Sequence, residues 1–265
     1  MVTIYADYGD EPEDAFVPLP EHLSCSFYAL EMDGFTEDIS VFNSLLPPEG
    51  RILELGCGTG RIAGALAGDR RPVTGIDISP VMVRLAKQKQ HPHCDYLCMD
   101  MTRLAFQAGF DHIIIGYNTL NLLCSKASIL SCLRECGRHL HPGGTLLLQL
   151  FLPAKDFIAK KKSFQFQIFD RPGGGKIIKE IIKRYSGSTK AVHVSERFRI
   201  RPTAHSGENE DYQTSYSIAG FSVTEWFALF GEAGFTPSTL YGDYSCEAFC
   251  GETTSMLLGS FTSSK

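Results

Sequence analysis

The 265-residue chain reads as a doubly wound α/β protein with a seven-stranded, mostly parallel sheet and an antiparallel β insert after the fifth strand. Three observations predict this. From Arg51 to Leu152, short apolar runs alternate with helix-period segments, the pattern of repeated strand–helix units. The first strand runs into a glycine-rich turn, within LELGCGTGRI at 53–62, that opens a helix. After Phe151 the helical period gives way to period-two alternation, as in FQFQIFD.

The elements follow in order. Residues 1–22 are acidic and proline-bearing, with Tyr5, Tyr8 and Phe16 interspersed, which suggests a loose arm or lid. Two helical patterns come next; the second places Phe35, Ile39, Phe42 and Leu46 at helix spacing before Pro47–Pro48 stop it. RILEL is a short buried strand, and the helix after the glycine turn carries Ile62 and Leu66. PVTGID is the second strand, with Ser79–Pro80 as N-cap and first-turn proline of a helix carrying Met82, Leu85 and Ala86. A third strand lies near Asp95–Cys98. FDHIIIGY is the fourth and most apolar, as expected at the centre of a parallel sheet. A helix from about Lys126 has Ile129, Leu133, Cys136 and Leu140 as its stripe, and after His141–Gly144 comes the fifth strand, TLLLQLF. In the insert, KIIKEIIKRY fits either a helix stripe or a strand, and its β-branched residues beside a turn favour the strand. AVHVSERFRI and DYQTSYSIAG complete about four strands. Ser222 and Glu225 then form a capping box for a helix ended by Gly234, before two last strands near 236–241 and 255–262.

Composition narrows the function. Hydrophobic residues at 43% and charged residues at 21% suit a soluble globular chain. A net charge of −5 argues against general nucleic-acid binding. Residues 155–201 are the exception, with thirteen Lys or Arg against four Asp or Glu. They read as a solvated charged surface or as a basic wall beside an anionic substrate or acidic partner. No secretory signal or membrane-spanning run is seen, so the expected location is cytoplasmic. Nine cysteines include three C-x3-C pairs, Cys94/Cys98, Cys132/Cys136 and Cys246/Cys250. That is not common zinc spacing, so they are expected to be reduced core thiols and no metal is expected.

Three ligand classes could use the glycine turn. A P-loop needs G-x4-G-K-[ST], but Arg61–Ile62 follow Gly60. A dinucleotide fingerprint needs a third glycine where Arg61 stands. With Glu54 in front, the stretch is E-x-G-x-G-x-G, and this resembles the nucleotide-binding loop of class I S-adenosylmethionine-dependent methyltransferases, which have a Rossmann-like fold. The resemblance covers roughly 51–152 plus the closing helix and strands. It implies S-adenosylmethionine as cofactor, with Glu54, Gly56, Cys57, Gly58 and Gly60 along its amino acid end and sugar. It implies a ribose carboxylate at Asp77, flanked by Ile78 and Met82, and an adenine clamp at Asp100 and Met101. Asn118 falls where cofactor and acceptor pockets meet. RHLHPGGTLLL matches the family's helix–turn–strand signature. A weaker likeness to small-molecule N-methyltransferases with a β insert adds Tyr28 as a cofactor contact.

Methyl transfer requires a nucleophile aligned behind the methyl, and a general base is optional; accordingly no catalytic residue is assigned, and neither His193 nor His205 is nominated. The acceptor, a small molecule with an N or O nucleophile, is expected near Asn121 and Tyr244. GYNTLNLL is not the N/D-P-P-Y/F run of nucleobase methyltransferases. Residues 1–50 read as an arm and cap helices, 51–152 with 221–265 as the cofactor domain, and 153–220 as a substrate or oligomer region through which a homodimer would form. The competing readings are a non-catalytic cofactor-binding partner protein and an NAD(P)-binding oxidoreductase.

Overall fold

A computed structural model describes residues 2–4, 16–32, 34–203, 207–251 and 254–263. Tyr5, Tyr8 and His205 lie outside them. The chain divides into two compact units, one of residues 1–33 with 155–218 and the other of 34–154 with 219–265.

The larger unit holds the parallel sheet. Its strands are β3 (Ile52–Leu55), β4 (Val73–Asp77), β5 (Cys94–Cys98), β6 (Phe110–Ile115), β7 (Leu140–Phe151), β12 (Phe235–Tyr241) and β13 (Met256–Ser263), in spatial order β12-β13-β7-β6-β3-β4-β5. β3 to β7 run parallel, and β13 lies antiparallel between β7 and β12, so β12 again runs in the direction of β3 to β7. The order reverses at β3, whose neighbours are β4 on one side and β6 on the other, and such a switch point leaves a crevice at the strands' carboxyl ends.

Strand alternation assigns the two faces. Ile113, Ile115, Leu146, Leu148 and Leu150 pack with Ile129, Cys132, Leu133 and Cys136 of α5 (Lys126–His139), and with Trp226, Leu229 and Phe230 of α7 (Val223–Glu232). Ile52, Ile114, Leu147 and Leu258 face Val41 and Phe42 of α2 (Glu37–Leu45), Ile62, Ala63 and Leu66 of α3 (Arg61–Leu66), and Val83 and Ala86 of α4 (Pro80–Gln88). On α4 the buried pair is therefore Val83 and Ala86, while Met82 and Leu85 are half-buried. All nine cysteines are unbridged; Cys132 and Cys136 are fully buried core thiols, but Cys98, Cys246 and Cys250 are exposed, which corrects the expectation that all three pairs are core thiols. The α4 cap forms through Ser79 and the α7 capping box through Ser222 and Glu225.

The smaller unit is a six-stranded sheet. β8 (Lys162–Asp170), β9 (Lys176–Ser186), β10 (Ala191–Arg201) and β11 (Glu210–Ala219) follow each other across it. KIIKEIIKRY is strand β9, hydrogen-bonded on both sides. The expectation of a loose arm is corrected where the arm is described: β1 (Val2–Ile4) pairs antiparallel with β8, and β2 (Val17–Pro18) pairs parallel with β11. Edge strands present unpaired N–H and C=O groups, and the first residues satisfy them at both edges. Phe16 is buried, with the guanidinium carbons of Arg197 and Arg199 each 4.9 Å from its ring centroid.

Much of this unit's positive charge is paired at home. Arg199 bonds Glu180, Arg201 bonds Asp211, and buried Lys179 bridges Glu31 of α1 (Glu21–Glu31) at 2.7 Å and Glu196 at 2.9 Å. Burial pulls the Lys179 pKa down, but the two carboxylates outweigh it and raise the net value.

Candidate functional site

The glycine turn is built by backbone that only glycine adopts cheaply. Gly56, Gly58 and Gly60 have φ of +69°, +53° and +74°, the left-handed region. At Gly56 the space is also taken: a Cβ would lie 2.2 Å from Thr119 Cγ2. Cys57 N–H donates to the Ile76 carbonyl at 2.8 Å, tying the turn to β4. The Cys57 thiol is buried, which pushes its pKa up and keeps it protonated.

Two carboxylates organise this turn. Asp77, at the end of β4, accepts from Gly58 N–H and from Ser79 N–H, each at 2.9 Å, so it links the glycine turn to the start of α4. Ile78 beside it is 72% exposed. Glu54 is buried and accepts from Ala63 N–H at 2.8 Å, below the turn rather than on its surface. Burial raises its pKa to about 8, against the Ala63 bond and the Arg61 charge, which lower it.

Arg61 has a role that its sequence position did not reveal. It makes two bonds to Asp38, at 2.7 and 2.6 Å, donates to the Phe35 carbonyl at 2.8 Å, and stacks over the Phe35 ring at 5.1 Å. Asp38 is fully buried. The residue that breaks the dinucleotide fingerprint thus joins the first turn of α3 to α2. No local spacing signals a partner 23 residues away.

The remaining expected positions occupy neighbouring strand ends. Asp100 Oδ1, after β5, accepts from the Thr102 N–H and hydroxyl, both at 2.8 Å, and Met101 is half-buried beside it. Tyr117 and Asn118, after β6, have φ of +45° and +61°, a strained pair of the kind that accumulates at functional sites. Asn118 Oδ1 is buried and accepts no hydrogen bond from the described residues. Glu54, Gly56–Gly60, Asp77, Ile78, Met82, Asp100, Met101 and Asn118 therefore lie on or beside the carboxyl ends of four adjacent strands, β5, β4, β3 and β6.

Asn121 is a correction. It is fully buried; its amide donates to the Phe151 and Ala219 carbonyls at 3.0 and 2.8 Å, and its oxygen accepts from Phe151 N–H at 3.0 Å. With both amide hydrogens taken by backbone, it is a structural tie and has nothing to offer an acceptor. Tyr244 is half-buried, edge-on to Phe35 at 5.4 Å, and its hydroxyl accepts from Gln149 Nε2 at 2.8 Å. Gln149 was missed, although a lone glutamine inside TLLLQLF was the signal available. Tyr28 is on α1, in the other unit. Among the described residues there is no cluster of three metal-ligating side chains, and no helix is long and apolar enough to cross a membrane.

Residues 52–144 match the family model described as a methyltransferase domain. A putative methyltransferase, YqeM, of Bacillus subtilis is 38% identical over 108 residues, which are 40% of this chain and 44% of that protein, so this chain matches less than half of that relative's length. Among solved structures, an S-adenosylmethionine-dependent methyltransferase from Clostridium acetobutylicum has a TM-score of 0.74 at 14% identity, over 91% of this chain and 99% of that one. The amino pentose methyltransferase CalS10 of Micromonospora echinaspora, solved with S-adenosylmethionine bound, has a TM-score of 0.71 at 18% identity, over 93% and 98%. At these identities the solved structures establish a shared fold.

Proposed function

We propose that this chain, which carries a methyltransferase-domain match over residues 52–144, is a class I S-adenosylmethionine-dependent methyltransferase that transfers a methyl group to a small-molecule acceptor by in-line displacement. The observation that carries the reading is the row of ligand-ready groups along β5, β4, β3 and β6, ending in the partnerless oxygen of Asn118. A buried acceptor without a partner is rare in native structures and calls for an explanation such as a ligand.

The residues present fit the cofactor. Asp77, already held in place by two backbone N–H groups, would take the ribose hydroxyls. Asp100 and Met101 would clamp the adenine, with exposed Ile78 and the start of α4 at Met82 beside it. The backbone of Gly56, Cys57, Gly58 and Gly60, together with Asn118, would line the amino acid end. Glu54 would act indirectly, through Ala63 and the turn above it. When bound, S-adenosylmethionine supplies a methyl group already activated on a sulfonium. The chain must then exclude water and align the acceptor, which is catalysis by proximity and orientation. An NAD(P) oxidoreductase is disfavoured because Arg61, anchored to Asp38, stands at the third fingerprint position.

The test is turnover. Incubation with S-adenosylmethionine and a small-molecule library should release S-adenosylhomocysteine and give a product 14 Da heavier, roughly one CH2, as methyl transfer requires. Binding of the cofactor with no turnover on any acceptor class would favour a non-catalytic partner protein.

A further inference from the structure

Gln149 belongs to none of the positions assigned so far. It lies near the carboxyl end of β7, one residue past Leu148, which pairs with Ile115 at the end of β6. It is 3% exposed, and its neighbours Leu148 and Leu150 point to the opposite face of the sheet. Its Nε2 donates to the Tyr244 hydroxyl at 2.8 Å, which fixes the amide's direction, while its Oε1 is buried and accepts no hydrogen bond from the described residues. Leaving a buried carbonyl oxygen without a donor is unfavourable, so this atom is kept at a penalty unless something fills it.

Aromatic rings connect Gln149 to Asn118. Tyr244 is edge-on to Phe35 at 5.4 Å, and Phe35 is edge-on to Tyr117 at 5.9 Å, immediately before Asn118. Two partnerless carboxamide oxygens, on Asn118 and Gln149, thus bound one aromatic cluster. Their order along the sheet separates their roles. From Asp77 on β4, through the glycine turn after β3, to Asn118 after β6, each step is one strand spacing, about 4.8 Å. Gln149 on β7 is one strand further, on the side away from the adenine clamp.

We infer that Gln149 Oε1, braced by Tyr244, is a specificity-determining hydrogen-bond acceptor for the methyl acceptor, and that the group it holds is a neutral amine. This rests on the methyltransferase reading above. A carboxamide orients an N–H but cannot take a proton from it. Burial, assisted by Asp38, raises the Tyr244 pKa to about 12, so the phenol stays protonated and is no base either. A hydroxyl acceptor would need deprotonation as it attacks, whereas a neutral amine needs only alignment. The amine lone pair forms the new C–N bond as the methyl–sulfur bond breaks; that electron pair stays on sulfur, and the nitrogen loses its extra proton to water after transfer.

The test uses the full chain saturated with S-adenosylhomocysteine, titrated calorimetrically with amino pentoses and amino hexoses, each paired with its hydroxyl counterpart. Wild type should bind at least one amine more tightly than its counterpart. Gln149→Met, which removes the acceptor at similar volume, should weaken that amine at least roughly tenfold, the scale of one buried hydrogen bond, with S-adenosylhomocysteine affinity within about twofold of wild type. Tyr244→Phe, which frees the amide to rotate, should show a smaller loss in the same direction and serves if Gln149→Met fails to fold. Three results would overturn the inference: no preference for any amine, unchanged amine binding in both variants, or an equal loss of S-adenosylhomocysteine, which would place the cofactor's own ammonium at Gln149. Failure of wild type to bind S-adenosylhomocysteine at all would instead sink the methyltransferase reading, and the inference with it.

Discussion

Replacing Glu54 with glutamine tests the electrostatics beneath the glycine turn. Burial raises the Glu54 pKa to about 8, whereas the unfolded chain releases that proton near 4.5. Between those values the folded state binds more protons than the unfolded state, so stability falls as pH rises through the window. At about 1.4 kcal/mol for each tenfold change in proton concentration, linkage over pH 5 to 8 amounts to about 3–4 kcal/mol. Glutamine keeps an oxygen for the Ala63 N–H and has no proton to lose. Glu54→Gln should therefore remove this slope and gain about 3–4 kcal/mol relative to wild type between pH 5 and pH 8. The assay is urea unfolding at several pH values followed by fluorescence of Trp226, the one tryptophan, which is fully buried in the same unit. Parallel stability profiles for the two proteins would show that Glu54 is ionised in the folded state at neutral pH and refute the burial argument.

Other substitutions test separate parts of the frame. Arg61→Met leaves the fully buried Asp38 carboxylate without its partner and should cost about 3–5 kcal/mol, seen as a fall of roughly 10 °C in thermal midpoint; Asp38→Leu in the same background should recover part of it. Gly56→Ala puts a methyl 2.2 Å from Thr119 Cγ2 at a left-handed backbone position, and S-adenosylhomocysteine affinity measured by calorimetry should drop roughly tenfold or more. Asn121→Ala removes three buried hydrogen bonds, to the Phe151 and Ala219 carbonyls and from the Phe151 N–H, and should cost about 3 kcal/mol or more in urea unfolding, with cofactor affinity of the folded protein unchanged. A selective loss of affinity there would restore Asn121 to the site.

Local pattern made the scaffold legible. Alternating apolar runs located the parallel strands, and caps at Ser79 and Ser222 are chemistry confined to four residues. Even the ambiguous KIIKEIIKRY reads as a strand once β-branched residues beside a turn are weighed. Long-range pairing was not legible. Arg61 registered only as a missing glycine, because Asp38 and Phe35 are near it in space alone. Asn121 has a polar side chain in a loop after a strand, which suggests a ligand, yet its partners at 151 and 219 are set by how β7 and the end of β11 meet that loop. The first residues were read as an arm because two- and three-residue edge strands carry no period of their own.

The row of groups from Asp100 to Asn118 is proposed to bind an adenosyl amino acid rather than a dinucleotide. Titration calorimetry of the purified chain with S-adenosylhomocysteine and with NAD, on wild type and Asp77→Ala, tests it most directly. One-to-one binding of S-adenosylhomocysteine is expected at roughly micromolar Kd, about −8 kcal/mol, weakened at least roughly tenfold by Asp77→Ala as its hydrogen bonds are lost, with no heat from NAD. Binding of NAD together with no binding of S-adenosylhomocysteine or S-adenosylmethionine would contradict it.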